Sequence, residues 1–88
     1  MILSWTDESW DDYVYWQKQG DKKKIRRINK LIKDIERHPF EGLGKPEGLK
    51  HDLSGYWSRK IDAKDRIIYK CSVNELVIYS CKDHYDDH

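Results

Sequence analysis

Glu75-Leu76-Val77-Ile78-Tyr79-Ser80-Cys81 is an apolar run near the end of a polar chain of 88 residues, whose mean hydropathy is −0.99. Its branched and aromatic side chains fit a pleated, buried surface, so the run is expected to be a sheet strand. It delivers Lys82-Asp83-His84-Tyr85, a segment with two side chains able to move protons. Working backwards, Val73-Asn74 is a turn, and Arg66-Ile67-Ile68-Tyr69-Lys70-Cys71-Ser72 is a second strand. Asp62-Ala63-Lys64-Asp65 turns again, and Tyr56-Trp57-Ser58-Arg59-Lys60-Ile61 is a third. Adjacent strands with links this tight pair antiparallel.

The front of the chain has a different period. Ile2-Leu3-Ser4-Trp5 is a short strand candidate, and Thr6 offers an N-cap ahead of Asp7 and Glu8, anions that suit the positive end of a helix dipole. Trp10, Tyr13, Val14 and Trp16 then recur at roughly helical spacing, predicting a first amphipathic helix over 7–18. Gly20 stops it, and Asp21 caps the next. Ile25, Ile28, Leu31, Ile32 and Ile35 form a single apolar stripe, the mark of a second helix running to Arg37-His38, where Pro39 ends it. So short a link makes the two helices a hairpin. From Pro39 to Asp52 the glycines and prolines break regular structure, while Phe40, Leu43 and Leu49 offer anchors. The expected fold is α+β: two helices packed on one face of a small, mainly antiparallel sheet, in one domain over 1–85 with a tail at 86–88.

Composition narrows the function. The net charge of +1 hides three zones. Residues 1–21 carry one Lys against five Asp/Glu; residues 22–82 carry sixteen Lys/Arg against eight; the last six residues carry three Asp. A basic middle attracts polyanions, although solvated helix faces offset by nearby acids explain the same counts. In the strands, Arg59, Lys60, Arg66 and Lys70 interleave with Tyr56, Trp57, Tyr69 and Tyr79, a mix of charge and stacking platforms that suits single-stranded nucleic acid. Edge strands also use lysine simply to block aggregation. Cys71 and Cys81 are expected to be buried thiols rather than a disulfide. No apolar run approaches the roughly 18 residues of a membrane span, and no secretory segment opens the chain, so a cytoplasmic protein with no membrane association is expected.

His38, His51, His84 and His88 lack metal-ligand spacing, and no phosphate-cradling or dinucleotide motif is present, so no metal or cofactor is expected. What remains is Glu47, Arg66, several lysines and His84-Tyr85. Metal-free RNA cleavage needs a group to take the 2′-OH proton, cations to stabilise the phosphorane and a group to protonate the departing 5′-oxygen. On composition alone Glu47 is equally a solvated loop acid, Arg66 a strand-edge charge and His84-Tyr85 a surface terminus.

Longer motifs point to a family. Ser9-Trp10-Asp11-Asp12-Tyr13, Pro39-Phe40-Glu41-Gly42, Gly44-Lys45-Pro46-Glu47, Leu49-Lys50-His51, Leu53-Ser54-Gly55-Tyr56-Trp57-Ser58-Arg59 and Cys81-Lys82-Asp83-His84-Tyr85 resemble the YoeB/Txe toxins of bacterial toxin–antitoxin pairs, within the RelE/ParE superfamily. The resemblance covers residues 2–85. It implies a RelE-like fold and an endoribonuclease that cuts mRNA in the A site of the 70S ribosome, leaving a 2′,3′-cyclic phosphate and a 5′-hydroxyl. It also implies that Glu47 is the general base, His84 the general acid and Arg66 the phosphate-stabilising cation. Tyr85 would position RNA or leaving group, and Lys50, Arg59 and Lys60 would contact phosphate. Lys60 stands where the family often has a second arginine, and Asp86-Asp87-His88 extends past the His-Tyr pair. The partners implied are a YefM/Axe-like antitoxin, the ribosome with its mRNA, and operator DNA through the toxin–antitoxin complex only; the sequence leaves open whether the chain forms a homodimer. Two other classes stay open at this point: a non-catalytic RNA- or protein-binding module, and a gyrase-directed relative.

Overall fold

A computed structural model describes residues 1–83. The elements are β1 (Ile2–Trp5), α1 (Asp7–Lys18), α2 (Lys22–Arg37), β2 (Glu47–Gly48), one 3-10 turn (His51–Leu53), β3 (Trp57–Lys60), β4 (Arg66–Cys71) and β5 (Glu75–Ser80). They build a five-stranded sheet in the order β1-β5-β4-β3-β2. The β2–β3–β4–β5 ladder is antiparallel, and β1 joins parallel to β5 with Leu3 beside Leu76 and Trp5 beside Ile78. A parallel partner needs a long crossover, and the helical hairpin lies within the one that separates these two strands. The architecture is the α+β arrangement expected. The pairing of β1 and the short β2, set inside a segment read as irregular, were not anticipated.

Both helices start where their caps predict. Thr6 Oγ1 accepts the Ser9 amide at 3.1 Å, and Asp21 Oδ1 accepts the Lys24 amide at 3.0 Å. The α2 stripe supplies Ile28, Leu31, Ile32 and Ile35 to the core, all buried. They meet Ile67 and Tyr69 of β4 and Leu76 and Ile78 of β5. Burying such side chains is worth about 1.5–3 kcal/mol each, which makes this seam the main source of stability.

The first helix packs differently from its predicted stripe. Tyr13 and Trp16 lie against the core, but Trp10 is 48% exposed and forms an aromatic group with Trp5 and Tyr13 at its edge. The fully buried position is Ser9, whose Oγ bonds the Ile78 carbonyl at 2.7 Å. A small polar side chain there lets the helix approach the strand backbone closely.

Because side chains alternate along strands, Trp57, Arg59, Ile67, Tyr69, Leu76 and Ile78 turn to the helices. Ser58, Lys60, Arg66, Ile68 and Lys70 turn to the opposite face, which the helices leave uncovered, although Ser58 and Ile68 are themselves buried there. The aromatic and basic residues that interleave in sequence are therefore split: Trp57, Tyr69 and Arg59 belong to the interior side.

Candidate active site

The uncovered face collects three of the expected site residues at one end. Glu47 of β2 lies opposite Ser58, and Lys60 at the end of β3 lies opposite Arg66 at the start of β4. Strand spacing puts the Glu47 and Arg66 Cα atoms roughly 12 Å apart, a gap their side chains can bridge across one phosphodiester. Glu47 is exposed, while Lys60 and Arg66 are half-buried. Lys50 follows the buried Leu49 and is exposed at the start of the 3-10 turn. His84, Tyr85 and the 86–88 tail lie outside the described residues.

The loop that carries Glu47 is held by an arginine, and that arginine is Arg59. Its side chain is fully buried. Nε donates to Tyr69 Oη at 3.2 Å; Nη1 donates to Asp34 Oδ2 at 2.6 Å and to the Leu43 carbonyl at 3.1 Å; Nη2 donates to the His38 carbonyl and to the Glu41 carbonyl at 2.8 Å. A guanidinium has five N–H donors, and all five are used within the protein. The expectation that Arg59 contacts RNA is therefore corrected: no donor remains for a phosphate, and the side chain points away from the open face. Tyr69 completes the network by donating to the Pro39 carbonyl at 2.6 Å. Asp34 Oδ2 also accepts the Leu43 amide at 3.0 Å. That bond and the Arg59 guanidinium hold the Asp34 carboxyl below its ordinary pKa.

Backbone geometry then aims the loop at β3. The Gly44 carbonyl accepts the Lys60 amide at 2.7 Å, and Gly44 itself sits at φ +77°. A Cβ there would come within 2.9 Å of the Lys60 carbonyl oxygen and 3.0 Å of Leu31, so both the conformation and the space require glycine.

A second network fixes the chain leaving β5. The Cys81 amide donates to Asp12 Oδ2 at 3.0 Å, and its carbonyl accepts Trp16 Nε1 at 2.9 Å. The Asp83 amide donates to the buried Asp65 at 2.7 Å, while the Arg66 amide donates to the Asp83 carbonyl at 3.1 Å. Lys24 reaches from α2 to both Asp65 and Asp62, the latter at 2.6 Å, and lies over the Trp16 ring. Desolvation works against the Lys24 ammonium, but its bonds to Asp62 and Asp65 prevail and raise its pKa.

Asp34, Asp65, Lys24, Asp12 and Trp16 were not singled out from the sequence as site supports. Asp34 left a faint signal, as one of two acids on a helix otherwise covered by Lys and Arg. Neither cysteine is an activated nucleophile. Burial pushes the Cys81 thiol up to about 12 and raises Cys71 as well, and both thiols are free. Among the described residues, no three His, Cys, Asp or Glu side chains are grouped to hold a metal, and no helix is long and apolar enough to cross a membrane.

Comparison with known proteins identifies a family and a fold. Residues 5–85 match the family model for the YoeB-like toxin of bacterial type II toxin–antitoxin systems. The chain is 54% identical over 85 residues to toxin YoeB of Escherichia coli K12, an alignment spanning 97% of this chain and all of that one. Its fold superposes on a YoeB/ParE toxin from Agrobacterium tumefaciens with a TM-score of 0.92 at 48% identity, covering 97% and 100% of the two chains. A Staphylococcus aureus YoeB, known as a dimer and in a heterotetramer with YefM, matches with TM-scores of 0.89 and 0.87 at 43% identity, over 97% of this chain and 98% of that one.

Proposed function

This chain belongs to the YoeB-like toxins of bacterial type II toxin–antitoxin systems, and from that premise we propose that it is a ribosome-dependent mRNA endoribonuclease. The observation that carries the reading is the placement of Glu47, Lys60 and Arg66 together on the uncovered sheet face, with the Arg66 backbone bonded to Asp83, the residue before His84.

In the proposed reaction Glu47 takes the proton from the ribose 2′-OH of a message held in the A site. The freed 2′-oxygen attacks the adjacent phosphorus. Arg66 and Lys60 lie where a phosphorane's charge would develop, and fixed cations act strongly on charge that appears only in the transition state. His84 gives a proton to the departing 5′-oxygen, so the P–O5′ bond breaks as the P–O2′ bond forms. The products are a 2′,3′-cyclic phosphate and a 5′-hydroxyl. Lys50 contacts a neighbouring phosphate and Tyr85 positions the RNA. Arg59 instead acts as the frame of the Glu47 loop.

The partners follow from the relatives. We infer a YefM-like antitoxin that covers the toxin, operator DNA contacted only by the toxin–antitoxin complex, and a homodimer such as the S. aureus YoeB forms. The test is to map mRNA ends after incubation with programmed ribosomes. Wild type should cut within the A-site codon, and Glu47→Ala should slow cutting by about 10²–10⁴-fold, the usual worth of a general base. A 2′-deoxy sugar at the cut position should block cleavage, because the attacking hydroxyl is gone. A message left intact by the wild type would overturn the reading.

A further inference from the structure

Beyond Arg66 the open face continues into a cleft that the reaction does not use. It has a volume of about 270 Å³ and is lined by Thr6, Glu8, Leu53, Tyr56, Ile68 and Tyr79. Ile68 sits two residues from Arg66 on the same face of β4, about 7 Å along the strand. Tyr79 follows the inward Ile78 and so faces the same side as Ile68; a bulge falls at this point, since Ile68 pairs with Ser80 and Tyr69 with Ile78, and Tyr79 has no register partner. An extra residue of this kind bends and twists its strand locally, often beside an active site. Its ring meets Tyr56 edge to face, with centroids 4.8 Å apart, and Lys70 Nζ lies 4.3 Å over the Tyr56 ring. On β4 the cleft thus falls between two cations, Arg66 and Lys70.

One feature does not fit simple phosphate attraction. Glu8, in the first turn of α1, lines the cleft, and it has no cationic partner among the described residues. On a face that receives a polyanion, an exposed acid such as this repels the ligand unless it accepts a hydrogen bond from it.

We propose that this cleft is a subsite for one unpaired nucleobase of the RNA next to the cut phosphate, held against Tyr56 and Tyr79 and selected by Glu8 for an amino group on its pairing edge. This rests on the endoribonuclease reading and extends it. Single-stranded RNA is recognised by aromatic stacking together with hydrogen bonds to base edges, and the cleft joins both means to flanking cations. Adenine, cytosine and guanine carry the amino donor that a carboxylate accepts; uracil offers only carbonyls and one imino hydrogen. The cleft therefore disfavours uracil at one position of the codon.

The experiment compares single-turnover cleavage on ribosomes programmed with A-site codons that vary one base at a time. Wild type, Glu8→Gln and Tyr79→Leu are measured, with thermal melting of each to verify folding. Wild type should cut roughly tenfold more slowly when uracil occupies one codon position, in line with the discrimination of a good side-chain–base contact. Glu8→Gln, which can donate as well as accept, should remove that difference. Tyr79→Leu should slow cutting for all four bases by a similar factor. The subsite is overturned if folded variants retain the wild-type base profile and rates. It is also overturned if they keep that profile while losing affinity for the antitoxin, which would make the cleft a peptide-docking site. Absence of cutting by wild type on every codon would instead overturn the endoribonuclease reading and the subsite with it.

Discussion

Asp65 accepts the Asp83 amide through Oδ1 at 2.7 Å and holds the Lys24 ammonium through Oδ2, while the neighbouring Arg66 amide donates to the Asp83 carbonyl at 3.1 Å. One buried carboxylate thus ties three elements: the start of β4, the chain leaving β5 and the first turn of α2. The tie matters because Arg66 and the residues after Asp83 are where the proposed chemistry places its phosphate-stabilising cation and its acid.

Removing that carboxylate is expected to separate activity from binding. Asp65→Ala leaves the Asp83 amide without its acceptor and the Lys24 ammonium with Asp62 alone, at a cost of about 1–3 kcal/mol. Asp65→Asn keeps an oxygen for the Asp83 amide and should retain much more of the activity. In single-turnover cleavage the alanine variant should lose rate while its affinity for programmed ribosomes stays near wild type. Equal rates for both variants would show that the tie does not position the site.

Arg59 and Lys60 are adjacent and both basic, yet they should respond in opposite ways. Arg59→Ala strands Asp34 and several loop carbonyls, so it should lower unfolding free energy by about 3–5 kcal/mol in a urea titration, as for a broken buried ion pair. Arg59→Lys restores charge but only three donors, and should recover part of that loss. Lys60→Ala should leave stability within about 0.5 kcal/mol of wild type, as surface changes usually do, and should weaken cleavage. If Arg59→Ala proves as stable as wild type, the loop is not held as described.

Acid should loosen the same loop. The Asp34 carboxyl is held below its ordinary pKa by the Leu43 amide and the Arg59 guanidinium. A depressed folded-state pKa means that the unfolded chain takes up the proton first. Asp34 therefore contributes stability that is full above the ordinary carboxylate value, about 3.9, and is lost as pH falls through the lower, folded value. Denaturant titrations from pH 6 down to pH 3 should show wild-type stability falling in the acid range. Asp34→Asn should be less stable at pH 6 and lose less on acidification. Parallel curves for the two proteins would remove Asp34 from the account.

The sequence by itself determined the elements and the layer. A 3.6-residue stripe of Ile and Leu, two side-chain caps, a Gly/Pro loop and apolar runs with short links are local signals, and each acts within about one turn or one strand. The helices and the meander follow from them, whereas the grouping of Glu47 with Arg66 was implied only by the resemblance to a family. Tertiary structure alone decided which charges face inward. Arg59, Lys60, Arg66 and Lys70 are alike in composition, and strand periodicity divides them only once the helix-covered face is known. Arg59 is buried because Asp34, twenty-five residues earlier, and the carbonyls of a folded loop satisfy it. The parallel place of β1, the bulge at Tyr79 and the Asp65 tie likewise join residues distant in sequence. Such contacts are selected by long-range packing and by the cost of leaving a buried polar group unpaired, and no local pattern records that choice.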